Sequence, residues 1–354
     1  MPVYNEKDFI PKQAPGRFPA TWEFQTQAPS NIAIIKYWGK KGMQLPMNAS
    51  LSFLLPQSLT TTKASARLSD KISDKVKFTF LFDGKENASF SKKIAVFFER
   101  IVHYVPYVKR YEWTFESENN FPHSAGIASS ASGFAALSKI LIRLERTLYP
   151  EADEILLYHK TSFLARLGSG SASRSVTGTV AVWGTHPGIP GSNDLYAIDY
   201  PFEIHREFRR MTDLILLLEK EKKEVSSTTG HGLIDKHPFK HPRIDQARNN
   251  LSRLSEALQQ GDWDSFGQIT ENEALTLHAM MMTSNPYFIL MQPETLRWIR
   301  LIWDFRNKTG IPVYFTLDAG ANLHLIYPDV YEQKILSGLD ELTQAEKIIN
   351  RIRL

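Results

Sequence analysis

The stretch N-N-F-P-H-S-A-G-I-A-S-S-A-S-G-F-A-A-L, residues 119–137, constrains the fold of this chain more than any other. A polar loop ends in glycine and serines, and Phe134, Leu137, Leu141, Leu144 and Leu148 then recur at intervals of three or four residues. That spacing predicts a helix that starts at the serines and buries one face. The first N–H groups of such a helix lack intrahelical partners and sit at the positive end of its dipole, an arrangement that attracts phosphate. The same residues also suit plain capping by Ser129 or Ser130 with close packing through Ala131, Gly133 and Ala135. No G-x-x-x-x-G-K-[ST] run is present, so an ordinary P-loop is not the explanation.

A second loop strengthens the anion reading. R-L-G-S-G-S-A-S-R-S places Arg166 and Arg174 around serines and glycines, a composition able to bind carboxylate or phosphate with fixed geometry. The plain alternative is two surface arginines flanking a turn. In N-I-A-I-I-K-Y-W-G-K, Lys36, Tyr37 and Lys40 follow a strand-like apolar run. Alternating burial turns Lys36 inward, where it needs an anionic partner, whereas Trp38 reads as packing. Asp318 follows V-Y-F-T-L and precedes A-G-A-N. It either makes an Asx turn or directs a carboxylate from a strand end into a cleft. His237 and His241 are separated by Pro238, which argues against a helical metal pair.

Along the chain, Pro11, Pro15, Gly16 and Pro19 oppose regular structure, so residues 1–20 read as an arm. Strands are predicted near 31–38, 50–55, 60–68, 76–82, 111–117 and 176–183, with Asp83-Gly84 turning between strand and helix. Helices are predicted over 88–105 and 153–167. The second half reads as a buried strand at 212–218, helices over 244–259, 263–282 and 294–307, a strand pair at 313–317 and 323–327, and a closing C-terminal helix. This pattern is α+β, with a lobe over 21–200 and another over 201–354. A length of 354 residues exceeds the roughly 250–300 that one core usually serves. The chain has no cysteine, which removes thiolate catalysis and cysteine-ligated metal. A net charge of +4 fits a local anion site better than a nucleic-acid track. Its apolar runs are short for a membrane span, and its N-terminus does not resemble a secretory signal, so a cytoplasmic protein is expected.

Four segments occur in a telling order: NIAIIKYWGK with LPMNASLS, NNFPHSAGIASSASGFAAL, ARLGSGSASRS, and VSSTTG followed by FTLDAGAN. On these motifs the chain resembles the diphosphomevalonate decarboxylase family, a branch of the GHMP small-molecule kinases. The resemblance implies a GHMP kinase fold, with a ribosomal-protein-S5 domain-2-like lobe and a ferredoxin-like C-terminal lobe. It implies ATP and Mg2+, a phosphorylated hydroxy acid as substrate, no nucleic acid or membrane partner, and a cytoplasmic homodimer. It matches Asp318, Arg174 and Lys36 to catalytic positions, and Tyr37, Lys40, Ser169, Gly170, Ser171 and Arg174 to the substrate pocket. Gly126, Ile127, Ala128, Ser129, Ser130 and Ser227 match nucleotide-binding positions, while no metal ligand is assigned. The chain departs from the pattern at Lys41-Gly42, at Ser173 where a cysteine is frequent, and at Ala321 where proline is common. The activity the resemblance implies is ATP-dependent decarboxylation of mevalonate 5-diphosphate. The alternatives are a decarboxylase or 3-kinase acting on a mevalonate monophosphate or related 3-hydroxy acid, or an inactive anion-binding relative.

Overall fold

The computed structural model describes residues 3–122, 128–218, 227–339 and 345–354. In chain order the elements are β1 (Thr21–Ile35), β2 (Lys40–Lys41), β3 (Leu45–Pro46), β4 (Ser50–Leu68), β5 (Lys77–Phe82), β6 (Lys85–Glu86), α1 (Ala88–Ile101), β7 (Tyr111–Asn119), α2 (Ser129–Leu148) and α3 (Glu154–Gly168). They continue with β8 (Val180–Trp183), β9 (Ile198–Asp199), β10 (Arg210–Leu216), α4 (Ser227–Leu233), α5 (Lys240–Gln260), α6 (Trp263–Met282), α7 (Pro293–Thr309), β11 (Tyr314–Thr316), β12 (Leu323–Pro328), α8 (Glu332–Gly338) and β13 (Lys347–Arg353).

The first half hangs on β4. Strand β1 pairs antiparallel along one edge of it, while β7 and β8 share the other edge. Two separate strands are expected from the sequence at 50–55 and 60–68, yet the structure makes one. The register jumps from Pro29↔Leu59 to Ser30↔Leu55, so residues 56–58 bulge out of the pairing with β1. Pro56 has no N–H to give a ladder, and a bulge absorbs it without ending the strand. Asp83 and Gly84 both have positive φ and turn the chain from β5 into the short β6 before the helix begins.

The second sheet, β11-β12-β10-β13, is antiparallel throughout. One face, with Leu214, Leu216, Phe315, Leu323 and Leu325, packs on Trp298, Ile302 and Phe305 of α7. The other, with Met211, Ile215 and Ile326, joins the main hydrophobic cluster, which runs through Phe266 and Phe53 to α2 and α3. The expected C-terminal helix is corrected here: α8 is brief, and β13 closes the chain as an edge strand. Its alternation buries Asn350 and Ile352 while leaving Arg351 and Arg353 outside, a period of two. Asn350 Oδ1 accepts hydrogen bonds from the Gln57 N–H and the Ser58 hydroxyl, so the β4 bulge is also where the two sheets are tied.

The N-terminal arm is mostly irregular, as its prolines require, but it is docked. Phe9 is 1% exposed, stacked on Phe163 with ring centroids 4.6 Å apart and edge-on to Tyr196. Tyr104 donates to Glu6, and the Gly16 N–H donates to the Leu148 carbonyl at 2.7 Å. Phe9→Ala is expected to cost about 3 kcal/mol, the usual penalty for emptying a buried phenyl site. Chemical denaturation would show it as a lower midpoint at unchanged slope.

Candidate active site

Strand β1 ends at Ile35, and the next residue is Lys36. Residues 30–35 are buried on both faces of the strand, and Lys36 continues that run: it is 1% exposed and its Nζ lies 2.7 Å from Asp318 Oδ1. Asp318 follows β11 in the connection to β12, and its side chain keeps 30% of its accessibility. The Asx-turn alternative is not what the carboxylate does. Its own carbonyl instead accepts the Gly320 N–H at 2.7 Å and a ring nitrogen of His278 at 3.0 Å, which fixes the loop.

Burial opposes ionisation of Asp318, but Lys36, with His324 and Arg174 further off, outweighs it and holds the carboxyl below its ordinary value. Burial lowers Lys36, and Asp318 and Glu273 only partly offset that loss. Asp318 is therefore held as the carboxylate by its contact with Lys36, and it keeps one side turned to solvent.

Arg174 lies in the 3-10 turn Gly170–Ser175 that follows α3. Its Nε donates to Asn31 Oδ1 at 3.3 Å, one Nη donates to the Ser50 hydroxyl at 2.8 Å, and its guanidinium lies 5.7 Å from the Trp183 ring. Asn31 is held in turn by donating to the Ser175 hydroxyl and the Ser171 carbonyl. Burial lowers Arg174 to about 10, so it stays charged at neutral pH. No hydrogen bond from its other Nη reaches the described residues, which leaves donor capacity for an anionic group.

The Tyr37 hydroxyl is buried without a hydrogen-bond partner among the described residues. A Cβ on Gly170 would sit 2.9 Å from that oxygen and 2.8 Å from the Trp183 ring, so the glycine is needed for the turn to approach this wall. His231 packs against Tyr37 and Trp38 and accepts the Gly39 N–H through Nδ1. Burial, then the Lys40 and Arg174 charges, push this imidazole down to about 3, so it is neutral. Lys40 begins the β2–β3 hairpin, and burial together with nearby Arg100 lowers it to about 8.

The structure brings Lys36, Tyr37, Gly170, Arg174 and Asp318 into one neighbourhood, with Ser169 and Ser171 on the same turn and Lys40 on the adjoining hairpin. Ala128 adopts a left-handed conformation and takes the N-cap position of α2, so Ser129 and Ser130 lie in the first turn of the helix and not at its cap. Gly126 and Ile127 lie outside the described residues, as does the side chain of Ser227, whose backbone starts α4. Arg166 is not the surface residue of the plain alternative: it is buried and donates to the carbonyls of Leu195 and Met43. Trp38 packs with Ile234, Leu277 and Met281, as its sequence context suggests.

Sequence reasoning passes over Asn31, Ser50, Trp183 and His231 as site residues. Asn31 and Ser50 stand inside the quoted motifs, but only the pairing of β1, β4 and the 3-10 turn puts both on Arg174.

Two family models match nearly the whole chain. Residues 28–194 match the diphosphomevalonate decarboxylase-like N-terminal domain, and residues 213–353 match the mevalonate 5-diphosphate decarboxylase C-terminal domain. The chain belongs to the diphosphomevalonate decarboxylase family. It is 32% identical to the diphosphomevalonate decarboxylase of Gibberella zeae over 86% of this chain and 80% of that protein. With the Candida albicans enzyme it shares 31% over 88% of this chain and 86% of that one. Among solved structures, mevalonate diphosphate decarboxylase from Staphylococcus aureus superposes with a TM-score of 0.77 at 28% identity, covering 94% and 98% of the two chains. A structure described as MDDEF in complex with MVAPP, AMPPCP and magnesium superposes with a TM-score of 0.78 at 28% identity, covering 95% of this chain and 100% of the other. The α+β GHMP kinase fold expected from the motifs is therefore the fold of this member of the decarboxylase family. Lys41, where the sequence departs from the family pattern, pairs with Asp194 at 2.7 Å.

Proposed function

We propose that this chain catalyses ATP-dependent decarboxylation of mevalonate 5-diphosphate to isopentenyl diphosphate, with phosphorylation of the 3-hydroxyl as the activating step. The observation that carries the reading is the Lys36–Asp318 ion pair at 2.7 Å beside the charged Arg174, in a chain matched by the family along both halves.

A tertiary hydroxyl is a poor leaving group, whereas its phosphate ester leaves readily. Asp318, ionised and open on one side, faces the 3-hydroxyl and accepts or orients its proton while oxygen attacks the γ-phosphoryl group. Lys36 holds that carboxylate in place and keeps it charged. Ser129 and Ser130, in the first turn of α2, present donors to the nucleotide phosphates. Departure of the 3-phosphate builds positive character at C3, and the C1 carboxylate then collapses to carbon dioxide and an alkene. Arg174 orients that carboxylate without giving it a proton, a task suited to a permanently charged planar fork.

Among the described residues no cluster of three or more His, Asp or Glu side chains could cage a metal. Magnesium fits the site nonetheless, since it is commonly held by substrate phosphates with one or two carboxylates and water. When bound it would neutralise charge on the transferred phosphoryl group. The proposed arrangement comprises lobes over 21–200 and 201–354 with 1–20 as a docked arm, working as a cytoplasmic homodimer. Sedimentation of the purified protein would check the dimer.

The deciding assay mixes protein, ATP and magnesium with mevalonate, its 5-phosphate or its 5-diphosphate, and measures ADP and carbon dioxide. Equal ADP and carbon dioxide with the 5-diphosphate is the expected result. ADP alone would make the chain a 3-kinase, and turnover only with the monophosphate would change the substrate.

Lys40 yields a pH prediction. Its folded value of about 8 lies below the ordinary lysine range, so it is charged below about pH 8 and neutral above. KM for the phosphorylated acid is expected to rise above that pH while KM for ATP stays level. Lys40→Gln should raise KM at pH 7 and flatten its rise.

A further inference from the structure

Lys36 stands one residue beyond the end of β1, so no ladder partner is assured for its peptide groups. Both are nonetheless bonded, and by side chains. Glu273 Oε2 accepts the Lys36 N–H at 2.8 Å. Arg243 Nη2 donates to the Lys36 carbonyl at 3.1 Å, and Asn48 donates to the same oxygen at 2.9 Å. Arg243 and Glu273 bind each other through two bonds of 2.9 and 2.6 Å, and Asn250 donates to Glu273 Oε1 at 2.7 Å. Glu273 comes from α6, and Arg243 and Asn250 come from α5. The side chains of Arg243 and Glu273 are 1% and 0% exposed.

We propose that the buried Arg243–Glu273 pair is a positioning device that grips both peptide groups of Lys36 and thereby aims its ammonium at Asp318. A buried ion pair is weak grounds for a stabilising role, because well-packed apolar side chains often do as well. What apolar side chains cannot do is bond an N–H and a C=O of a third residue at once. A lysine side chain turns about four bonds, so the direction of its charge depends on where its backbone is fixed. The clamp supplies that fixed point from α5 and α6, while Asp318 approaches from the β11–β12 connection, itself bonded to His278 of α6.

The charges that face Lys36 are Asp318 from the β11–β12 connection, Glu273 from α6, Arg243 from α5 and Arg174 from the turn after α3. Replacing Glu273 by glutamine removes one anion and leaves Arg243 uncompensated, and both changes disfavour the ammonium. Glu273→Gln is therefore expected to make Lys36 titrate at lower pH than in wild type. The readout is the Cε carbon signal of lysine-labelled protein, assigned through Lys36→Arg. The inference rests on the catalytic reading of Lys36 and Asp318 for its kinetic part. There kcat for mevalonate 5-diphosphate should fall on the order of 100-fold, the scale of a small misplacement, with KM for ATP unchanged.

Arg243→Lys keeps the cation but loses the fork, and should lower kcat in the same direction with a native circular dichroism spectrum. It serves in place of Glu273→Gln if that variant does not fold. A folded Glu273→Gln with unmoved Lys36 titration and kcat within twofold of wild type would overturn the clamp, as would wild-type kcat in Arg243→Lys. Absence of wild-type turnover would instead count against the decarboxylase reading, and the Lys36 titration in Arg243→Lys, which keeps the charge and loses the fork, would still decide the clamp. A shifted titration supports it and an unmoved one overturns it.

Discussion

Replacing Asp318 by asparagine is expected to lower kcat by about 10³-fold, within the range a positioned general base supplies, while ATP affinity stays near wild type. The asparagine keeps size and shape but cannot take a proton, and it no longer neutralises Lys36 at 2.7 Å. Lys36, already lowered by burial, loses the contact that most favours its charge. A stability cost follows, smaller than the roughly 3–5 kcal/mol of breaking a fully buried pair, because Asp318 keeps 30% of its accessibility. The pH behaviour has a definite sign. A carboxyl held below its ordinary value contributes stability above the ordinary carboxylate range, and that contribution is lost as pH falls through the lowered value. Asp318→Asn should lack this acid-side loss. Turnover at the wild-type rate in a folded variant would reject the catalytic assignment, and loss of nucleotide binding in parallel would point to a collapsed cleft.

Much of this site was legible because its residue types are costly where they stand. Lys36 after an apolar run reads as turned inward, and a buried ammonium needs an anion; that the anion is Asp318 emerges only in the fold. Helices α5, α6 and α7 carried clear periodicity, and their observed bounds differ from the expected ones by a few residues at most. The rest depended on partners far away in sequence. Proline at 56 looked like a strand end because its missing N–H is a local fact, whereas the bulge that tolerates it is made with β1 and β13. The closing strand looked helical because its pairing with β10 lies some 130 residues back and sets its period only in the folded chain. Arg166 and Arg174 share one serine–glycine loop. The fold alone sends the first to backbone carbonyls and the second to the cleft.

Arg174→Ala should reduce kcat/KM for mevalonate 5-diphosphate by about 10²–10³-fold, the range measured for removing one preorganised donor from developing charge. Alanine removes the hydrogen bonds to Asn31 Oδ1 and the Ser50 hydroxyl and empties the site beside the Trp183 ring. Asn31 is still held by the Ser175 hydroxyl and the Ser171 carbonyl, so the wall of the pocket keeps an anchor. The loss should therefore fall on the carboxylate-bearing substrate, and ATP affinity should change less than threefold. Arg174→Lys separates charge from shape. A lysine restores the cation but cannot span Asn31, Ser50 and a substrate carboxylate with one planar fork, so only part of the activity should return. Carbon dioxide release per ADP formed is the more telling quantity. If Arg174 aligns the carboxylate for collapse, the alanine variant should form ADP faster than carbon dioxide, with the 3-phosphorylated acid accumulating. A ratio that stays at one, with ATP affinity reduced as much as substrate affinity, would move Arg174 from carboxylate recognition to upkeep of the fold.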